Sequence, residues 1–533
     1  MNKRFCHSDR HTMLASDVEH GGVAKAVLGL RRFFESGGTM SYEFRLGQLK
    51  AFQRMLVNER ATLQAAMKVD LHKNATEGQY VEVNQVEHEC QHAIDHLKQW
   101  MTPRAVSTNL LNVPGFSYVH PDPLGVCLVI GAWNFPILLS LQPMIGALAA
   151  GNCVCLKTPS QHYSAACSDA MAAMLQRYLD PRAVAIVAGD RMATQAVLQE
   201  TWDHIFFTGG KYVGTMVAEA AAKHLTPCVL ELGGKSPCVV DRSASLDVAA
   251  RRICWGMFQN AGQTCVRPDY LLVHEDVADA FAGSLLKWAT ASYSKDPKAT
   301  EWFGRLINER AAQRVAGLLA EDAAWVAFGG DVDVGAKYVA PTLLDFGADA
   351  AAFAASAAMR DEIFAPVAPM LRYRDEADAL AFIKARDKPL SCYVFSQDWA
   401  LASRFQYGTT SGSFVVNDVL VQGSNHALPF GGVGPSGMGA YHGEHSFRAH
   451  SHQKAVLYKT PYLDLDARYP PYSPLRAWTL GTVQAVRSAN AVLAVQLGLF
   501  AVAFAGLWAA CPALGEELAL LLAYLRSRAE ARL

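Results

Sequence analysis

The sequence predicts an α/β protein, a layered parallel sheet wrapped by helices, followed by an apolar C-terminal helix. Three observations carry this reading. After Pro114 the chain turns to short apolar runs closed by Gly and Pro, at 125–131, 153–156 and 204–208. Runs this short, apolar on every position, suit parallel strands buried on both faces. Helical stretches at 164–179 and 211–224 alternate with them, and strand-helix alternation marks an α/β layered sheet. Finally, residues 491–511 read AVLAVQLGLFAVAFAGLWAAC, with Gln496 the one strongly polar side chain.

Taken in order, 24–100 form a helical preface, since apolar positions recur at three and four within 61–71 and 80–100. The strand-helix texture follows. A second α/β block runs from about 233 to 430, where Val239, Val273, Phe328 and Val394 each sit in a short strand-like run. Residues 462–474 are rich in Tyr, Pro and Asp and read as an extended connector. At ~1.5 Å per residue, a helix over 491–511 is long enough to cross a bilayer core of ~30 Å, so a membrane anchor is expected. A buried core helix or an oligomer contact is the alternative.

Composition narrows the function. A chain of 533 residues exceeds the ~250–300 at which a single core stops growing, so two or more domains are expected. With 51% hydrophobic and 18% charged residues it is globular. A net charge of −1 without a long Lys/Arg run speaks against nucleic-acid binding. The twelve cysteines form no C-x-x-C pair and read as reduced thiols. Residues 1–10 lack the apolar stretch of a secretory leader.

Three residues stand out chemically. Cys265, in FQNAGQTCVRPDY at 258–270, follows a helical run and falls on an irregular loop, where a thiol can be accessible and its pKa lowered by backbone dipoles. Glu231 is a lone carboxylate in the apolar run VLELGGKSP at 229–237. A buried acid is costly unless paired or used, so it is either a general base with raised pKa or the salt-bridge partner of Lys235 or another base. Asn134, in GAWNFP at 131–136, follows the strand-like run 126–130 and so sits at the carboxyl end of a strand, where open sheets bind ligands. Its amide can donate to an oxyanion; otherwise it marks a turn.

Together with AWNFP at 132–136, AKHLTP at 222–227, LELGGKSPC at 230–238, GQTC at 262–265, EIF at 362–364, LPFGGVG at 428–434, GMG at 437–439 and YHG at 441–443, these stretches make residues 24–460 resemble the aldehyde dehydrogenase superfamily, within it the class 3 branch that includes fatty aldehyde dehydrogenases. The resemblance implies a Rossmann-like NAD(P)-binding domain with its helical preface at 24–232, an α/β catalytic domain at 233–430, a small β bridging segment at 431–460 that supports a homodimer, a linker at 461–487 and a transmembrane helix at 489–512. It implies Cys265 as nucleophile, Glu231 as general base, and Asn134 with the Cys265 N–H as oxyanion donors. For the cofactor it implies a nucleotide turn with Gly209, Gly210 and Gly214, Gly210 standing where relatives usually have Ser; Lys157 on the adenosine ribose; Glu362 on the nicotinamide ribose with Phe364 beside the ring; and Trp133 on the same wall. Ala365 replaces the usual Gly. Where many relatives have a glutamate on the ribose hydroxyls this chain has Ser160, which relaxes discrimination against NADP; NAD is expected, with NADP accepted.

The reaction so implied is oxidation of aldehydes to carboxylic acids through a cysteine thioester, on medium- or long-chain aliphatic aldehydes first and aromatic ones second. The body would face the cytosol from an intracellular membrane such as the endoplasmic reticulum. A catalytically silent protein on this fold, or transfer of the acyl group to coenzyme A, are the rival readings. Two decoys are set aside. GVGPSG at 432–437 satisfies G-x-G-x-x-G without a preceding strand. His426, His442 and His445 lack acidic or thiol partners at ligand spacing, so no metal is expected.

Overall fold

The computed structural model describes residues 12–13, 22–113, 115–462, 464–485, 494 and 498. The chain divides into two units, Met1–Met101 with Asp122–His452, and Thr102–Pro121 with Gln453–Leu533.

Among its described residues, the first unit is built on two seven-stranded sheets. In one, the strands run Thr12–Met13, Val184–Val187, Cys153–Lys157, Val126–Ile130, His204–Thr208, Cys228–Glu231 and Gly437–Met438. All pairs are parallel except the last. Every residue of Val126–Ile130, Cys153–Lys157 and His204–Thr208 is buried, which is why these runs lack polar alternation. The chain winds outward from Val126–Ile130 in both directions, so the crevice between its carboxyl end and that of His204–Thr208 is a topological switch point.

The second sheet runs Val326–Phe328, Thr342–Asp345, Val367–Tyr373, Tyr270–His274, Pro237–Val240, Ser391–Phe395 and Ser413–Val416, parallel except at its first pair. The expected α/β layering is thus present twice. Val239, Val273, Phe328 and Val394 all lie in its strands.

Three differences from the sequence reading have physical causes. The stretch 80–100 is not one regular helix: a π-helical turn, Gln79–Val83, precedes the α-helix Asn84–Met101. Helix Leu138–Ala150 has no periodic signature because its residues after Leu138 are all buried and it has no polar face. Residues 431–460, expected as one bridging segment, divide. Gly437–Met438 closes the first sheet against Leu230 and Glu231, whereas Ser451–Lys459 joins Gly115–Pro123 and Arg104–Val106 in a separate three-stranded sheet. The small sheet draws on segments far apart in sequence, which a serial reading cannot pair. Beyond it, Pro474–Ala485 is helical. The apolar stretch 489–512 lies outside the described residues apart from Ala494 and Gly498; among the described residues no helix is long and apolar enough to cross a membrane.

Candidate active site

The switch point gathers the singled-out residues. After Ile130 the chain turns at Gly131, whose N–H donates to Lys157 O (3.1 Å) and where a Cβ would meet Ser140 Oγ at 2.1 Å. It then presents Trp133 and Asn134 before entering helix Leu138–Ala150. Asn134 is buried, and its Nδ2 donates to Gln263 O (3.1 Å), two residues before Cys265.

The loop that carries Cys265 is wound tightly. Asn260, Ala261 and Gly262 have φ of 52°, 51° and 73°, a left-handed run that costs the first two side chains energy and is kept only where neighbours fix it. The fixing bonds are Asn260 N to Glu77 Oε1 (3.0 Å), Asn260 Nδ2 to Asn134 O (2.8 Å), Gln263 Nε2 to Arg305 O (3.0 Å) and Ile307 N to Gln263 Oε1 (2.8 Å). At Gly262 a Cβ would meet the Ala365 carbonyl carbon at 2.4 Å. Cys265 is half-buried. Burial pushes its thiol up to about 12, the Glu362 and Glu231 carboxyls add to the rise, and the N–H groups of Cys265 and Val266 oppose it. The expected lowering by backbone dipoles is present, but burial outweighs it.

Glu231 ends the strand Cys228–Glu231, and neither carboxyl oxygen has a hydrogen-bond partner. Burial alone raises its pKa well above the usual carboxylate range. Lys235 is engaged elsewhere, with Asp269, Ala358 O (2.8 Å) and Asp361 O (3.1 Å). The salt-bridge alternative is therefore removed. Glu231 and Cys265 line the same two cavities.

One cavity is bounded by strand ends and glycines. Its wall includes Trp133, Lys157, Gly209, Gly210, Glu362 and Phe364, with Ser160 beside them. At Gly209 and Gly233 a Cβ would meet the Phe207 ring at 2.5 Å and Glu362 Oε2 at 1.9 Å, so a side chain there would displace those groups. Gly210 caps helix Lys211–Ala222 without a side-chain bond, and nothing lies within 4 Å of a Cβ there, so a serine would fit. Gly214 is not on the wall; it lets the helix approach Leu232, which a Cβ would meet at 2.5 Å. Lys157 Nζ donates to Thr158 O (2.6 Å) and Gly189 O (2.9 Å), and burial lowers it to about 8. Burial and Asp269 push Glu362 up to about 8. Phe364 meets Trp133 edge-on at 5.6 Å. Ala365, beside it, gives its carbonyl to Arg267, a fully buried guanidinium that also reaches Val367 O (2.6 Å). Sequence reasoning gave no signal for Arg267.

The other cavity is apolar, walled by Tyr80, Phe135, Leu139, Trp255, Phe430 and Tyr441 among others. Phe135, Phe430 and Tyr441 fall in the stretches AWNFP, LPFGGVG and YHG, but no sequence feature assigns a role to any of the six, which come from separate helices and loops. GVGPSG at 432–437 docks on the strand end of Glu231, Leu232 N donating to Ser436 O (3.1 Å), and lies outside the glycine-lined wall. His426 pairs through Nδ1 with Glu89 (2.7 Å), and His442 lines the apolar cavity. A different trio, Cys127, His204 and His450, brings its ligand atoms within 4.8 Å of one another in the sheet core, off both cavities.

The profile of the aldehyde dehydrogenase family matches residues 11–456. The chain belongs to the aldehyde dehydrogenase family. Among relatives of this dehydrogenase, the rat "Aldehyde dehydrogenase, dimeric NADP-preferring" is 43% identical over 84% of this chain and 98% of its own. Arabidopsis thaliana aldehyde dehydrogenase family 3 member H1 is 42% identical over 85% and 92%. Mouse family 3 member A2 is 41% identical over 85% and 92%. Among solved structures, a substrate-bound Staphylococcus aureus AldH superposes with a TM-score of 0.83 at 35% identity, covering 86% of this chain and 99% of that one. The dehydrogenase is an NAD(P)-dependent oxidoreductase that converts aldehydes to carboxylic acids, and its similarity runs to the class 3 members.

Proposed function

We propose that Cys265 is the nucleophile, Glu231 the general base and Asn134 the oxyanion donor of this dehydrogenase. The observation that carries the assignment is the buried Glu231 carboxyl, without a partner, on the same two cavity walls as the Cys265 thiol. The Cys265 thiol gives its proton to water in the cavity, its sulfur bonds to the aldehyde carbon as the C=O π pair moves to oxygen, and that oxygen becomes an alkoxide. The second N–H of the Asn134 amide, the first being held by Gln263 O, and the Cys265 N–H receive that charge. Departure of hydride from the same carbon leaves a thioester on Cys265. Glu231 removes a proton from water, whose oxygen attacks the acyl carbon; the C–S bond breaks and the acid leaves.

The glycine-lined cavity fits a dinucleotide. Glycines 209 and 233 let Phe207 and Glu362 close on the backbone where a Cβ would displace them, the uncapped N-terminus of helix Lys211–Ala222 favours an anion, and Thr208 Oγ1 and Glu362 Oε1 are buried without partners. Gly209, Gly210, Lys157, Trp133, Glu362 and Phe364 would hold it, and it supplies the hydride acceptor. Ser160 offers no carboxylate to repel a 2′-phosphate, and rat, dog and mouse relatives are named NADP-preferring, so both cofactors serve.

The apolar cavity supports medium- or long-chain aliphatic aldehydes first and aromatic aldehydes second. The composition of 489–512 supports a transmembrane tether with the body in the cytosol, and the "dimeric" relatives support a homodimer. We assign 24–232 to cofactor binding and 233–430 to catalysis, the two groups of residues meeting at Glu231 and Cys265. Cofactor reduction by the purified full chain with hexadecanal or benzaldehyde, and NAD or NADP, tests this reading against Cys265→Ser. Reduction in the wild type alone supports it; no reduction with any pair, in folded protein, overturns it. Alkaline-carbonate extraction tests the tether, which release of the full chain from membranes would rule out.

A further inference from the structure

We infer that the buried Lys73–Glu82 ion pair is a positioning device for the oxyanion site, acting through Asn134. This rests on the role proposed for Asn134 and extends it to two residues that line neither cavity.

Lys73 follows helix Arg60–Leu71 by two residues, after His72 turns the chain in a left-handed conformation (φ 57°). Glu82 lies in the π-helical turn Gln79–Val83, an irregularity that helices keep where a side chain must be aimed. Lys73 Nζ and Glu82 Oε1 meet at 2.6 Å, and both side chains are wholly buried. A pair so buried is a weak source of stability, because removing both charges from water offsets their attraction; specificity of geometry is the better-founded reason to keep one.

The geometry here is specific. Lys73 Nζ donates to Asn134 O (3.3 Å) and lies 4.3 Å from the centre of the Phe135 ring. Glu82 Oε2 accepts from Ile137 N (2.9 Å) and Leu138 N (3.2 Å). The pair thus grips the chain on both sides of the Asn134–Phe135 turn: its cation holds the carbonyl of the donor residue, and its anion holds the first amides of the helix that follows. Asn260 Nδ2 takes the same Asn134 carbonyl from the nucleophile loop (2.8 Å), and Asn134 Nδ2 returns a bond to Gln263 O. One residue bearing the donor is therefore bonded at its carbonyl, its side chain and its downstream helix. Fixed donors stabilise a developing alkoxide without reorganising, and a displacement of about 1 Å can cost on the order of 10²-fold in rate.

The test is Lys73→Met with Glu82→Gln, which removes both charges together and leaves an acceptor for the helix amides. With the full chain, kcat is expected to fall roughly 10- to 100-fold, with KM for aldehyde and cofactor within about twofold and the thermal midpoint near wild type. In an Asn134→Ala background the same pair of changes should lower kcat no further, because both act on one donor. A kcat within twofold of wild type overturns the inference, as does an equal fall in the Asn134→Ala background. Should the double variant fail to fold, Glu82→Asp keeps the charges and shortens the reach; it is expected to lower kcat alone, and unchanged kcat overturns the inference. Full kcat in Asn134→Ala by itself would sink the oxyanion assignment and this inference with it, whereas a slow Asn134→Ala beside a normal double variant sinks only the inference.

Discussion

The two cavities that meet at Cys265 and Glu231 are made in opposite ways. The glycine-lined one is formed by strand ends, glycines, the start of a helix and the side chains of Trp133, Lys157, Glu362 and Phe364, and at Gly209 and Gly233 a Cβ would displace Phe207 and Glu362. The apolar one is formed almost wholly by side chains from the preface helix region, the helix after Asn134 and the segments around 255, 420 and 441. Backbone geometry tolerates little change, whereas a wall of Tyr80, Leu139, Trp255 and Phe430 can be resurfaced one residue at a time.

Breaking the junction itself gives the largest effect. Cys265→Ser should reduce kcat/KM by about 10⁴-fold or more, since among the described residues no other thiol lines either cavity, while cofactor affinity measured by fluorescence titration stays near wild type. Glu231→Gln should lower steady-state turnover by about 10² to 10⁴ and leave a burst of reduced cofactor equal to the enzyme, because acylation survives and hydrolysis does not. A missing burst together with full turnover would place the base elsewhere. Coenzyme A restoring turnover in this variant would instead favour acyl transfer. Burial raises Glu231, so its base form is lost as pH falls through a value well above the ordinary carboxylate range. The acid limb of kcat should therefore lie above that range, and stopped-flow hydrolysis of the acyl-enzyme across pH would show it.

The same contrast explains what the sequence made legible. Backbone-built features leave local signatures: the apolar runs at 126–130 and 204–208 are strands with those bounds, and the GG at 233–234 marks the approach of Glu362 to backbone. Cys265, Glu231 and Asn134 were findable because each sits in a short string with an unusual chemical feature. Of the apolar wall, Phe135, Phe430 and Tyr441 fall inside quoted stretches without a chemical feature that marks a cavity, and Tyr80, Leu139 and Trp255 lie outside them, since a leucine facing a cavity reads like one facing a core. Gly214, which the resemblance implies for the nucleotide turn, packs against Leu232 and does not line the cavity. Lys73 and Glu82, nine residues apart, carry no local sign of pairing; they meet through the π-helical turn and beside the Phe135 ring, neither visible locally.

A smaller effect separates the cavities without touching the junction. Ser160→Glu places a carboxylate on the glycine-lined wall and should raise KM for NADP about tenfold, the scale of one charge repulsion of about 1.4 kcal/mol in a partly screened site. KM for NAD and for aldehyde should stay within twofold. Equal losses with both cofactors would mean that Ser160 faces neither ribose.

The smallest step probes the apolar wall through the substrate. Each methylene moved from water onto Leu139, Phe135 and Trp255 contributes up to ~0.8 kcal/mol, about a fourfold change in an equilibrium constant. In a series of straight-chain aldehydes, kcat/KM should rise by at most that factor per carbon until the cavity is filled, then level. Because the gain comes from surface remote from the carbonyl, it should appear mainly in KM, with kcat and KM for NAD(P) flat. A profile already level from the shortest aldehydes would mean that the tail binds outside this cavity. A rise confined to kcat would mean that contacts with the chain are made only as the alkoxide forms, and would join the adjustable wall to the fixed one.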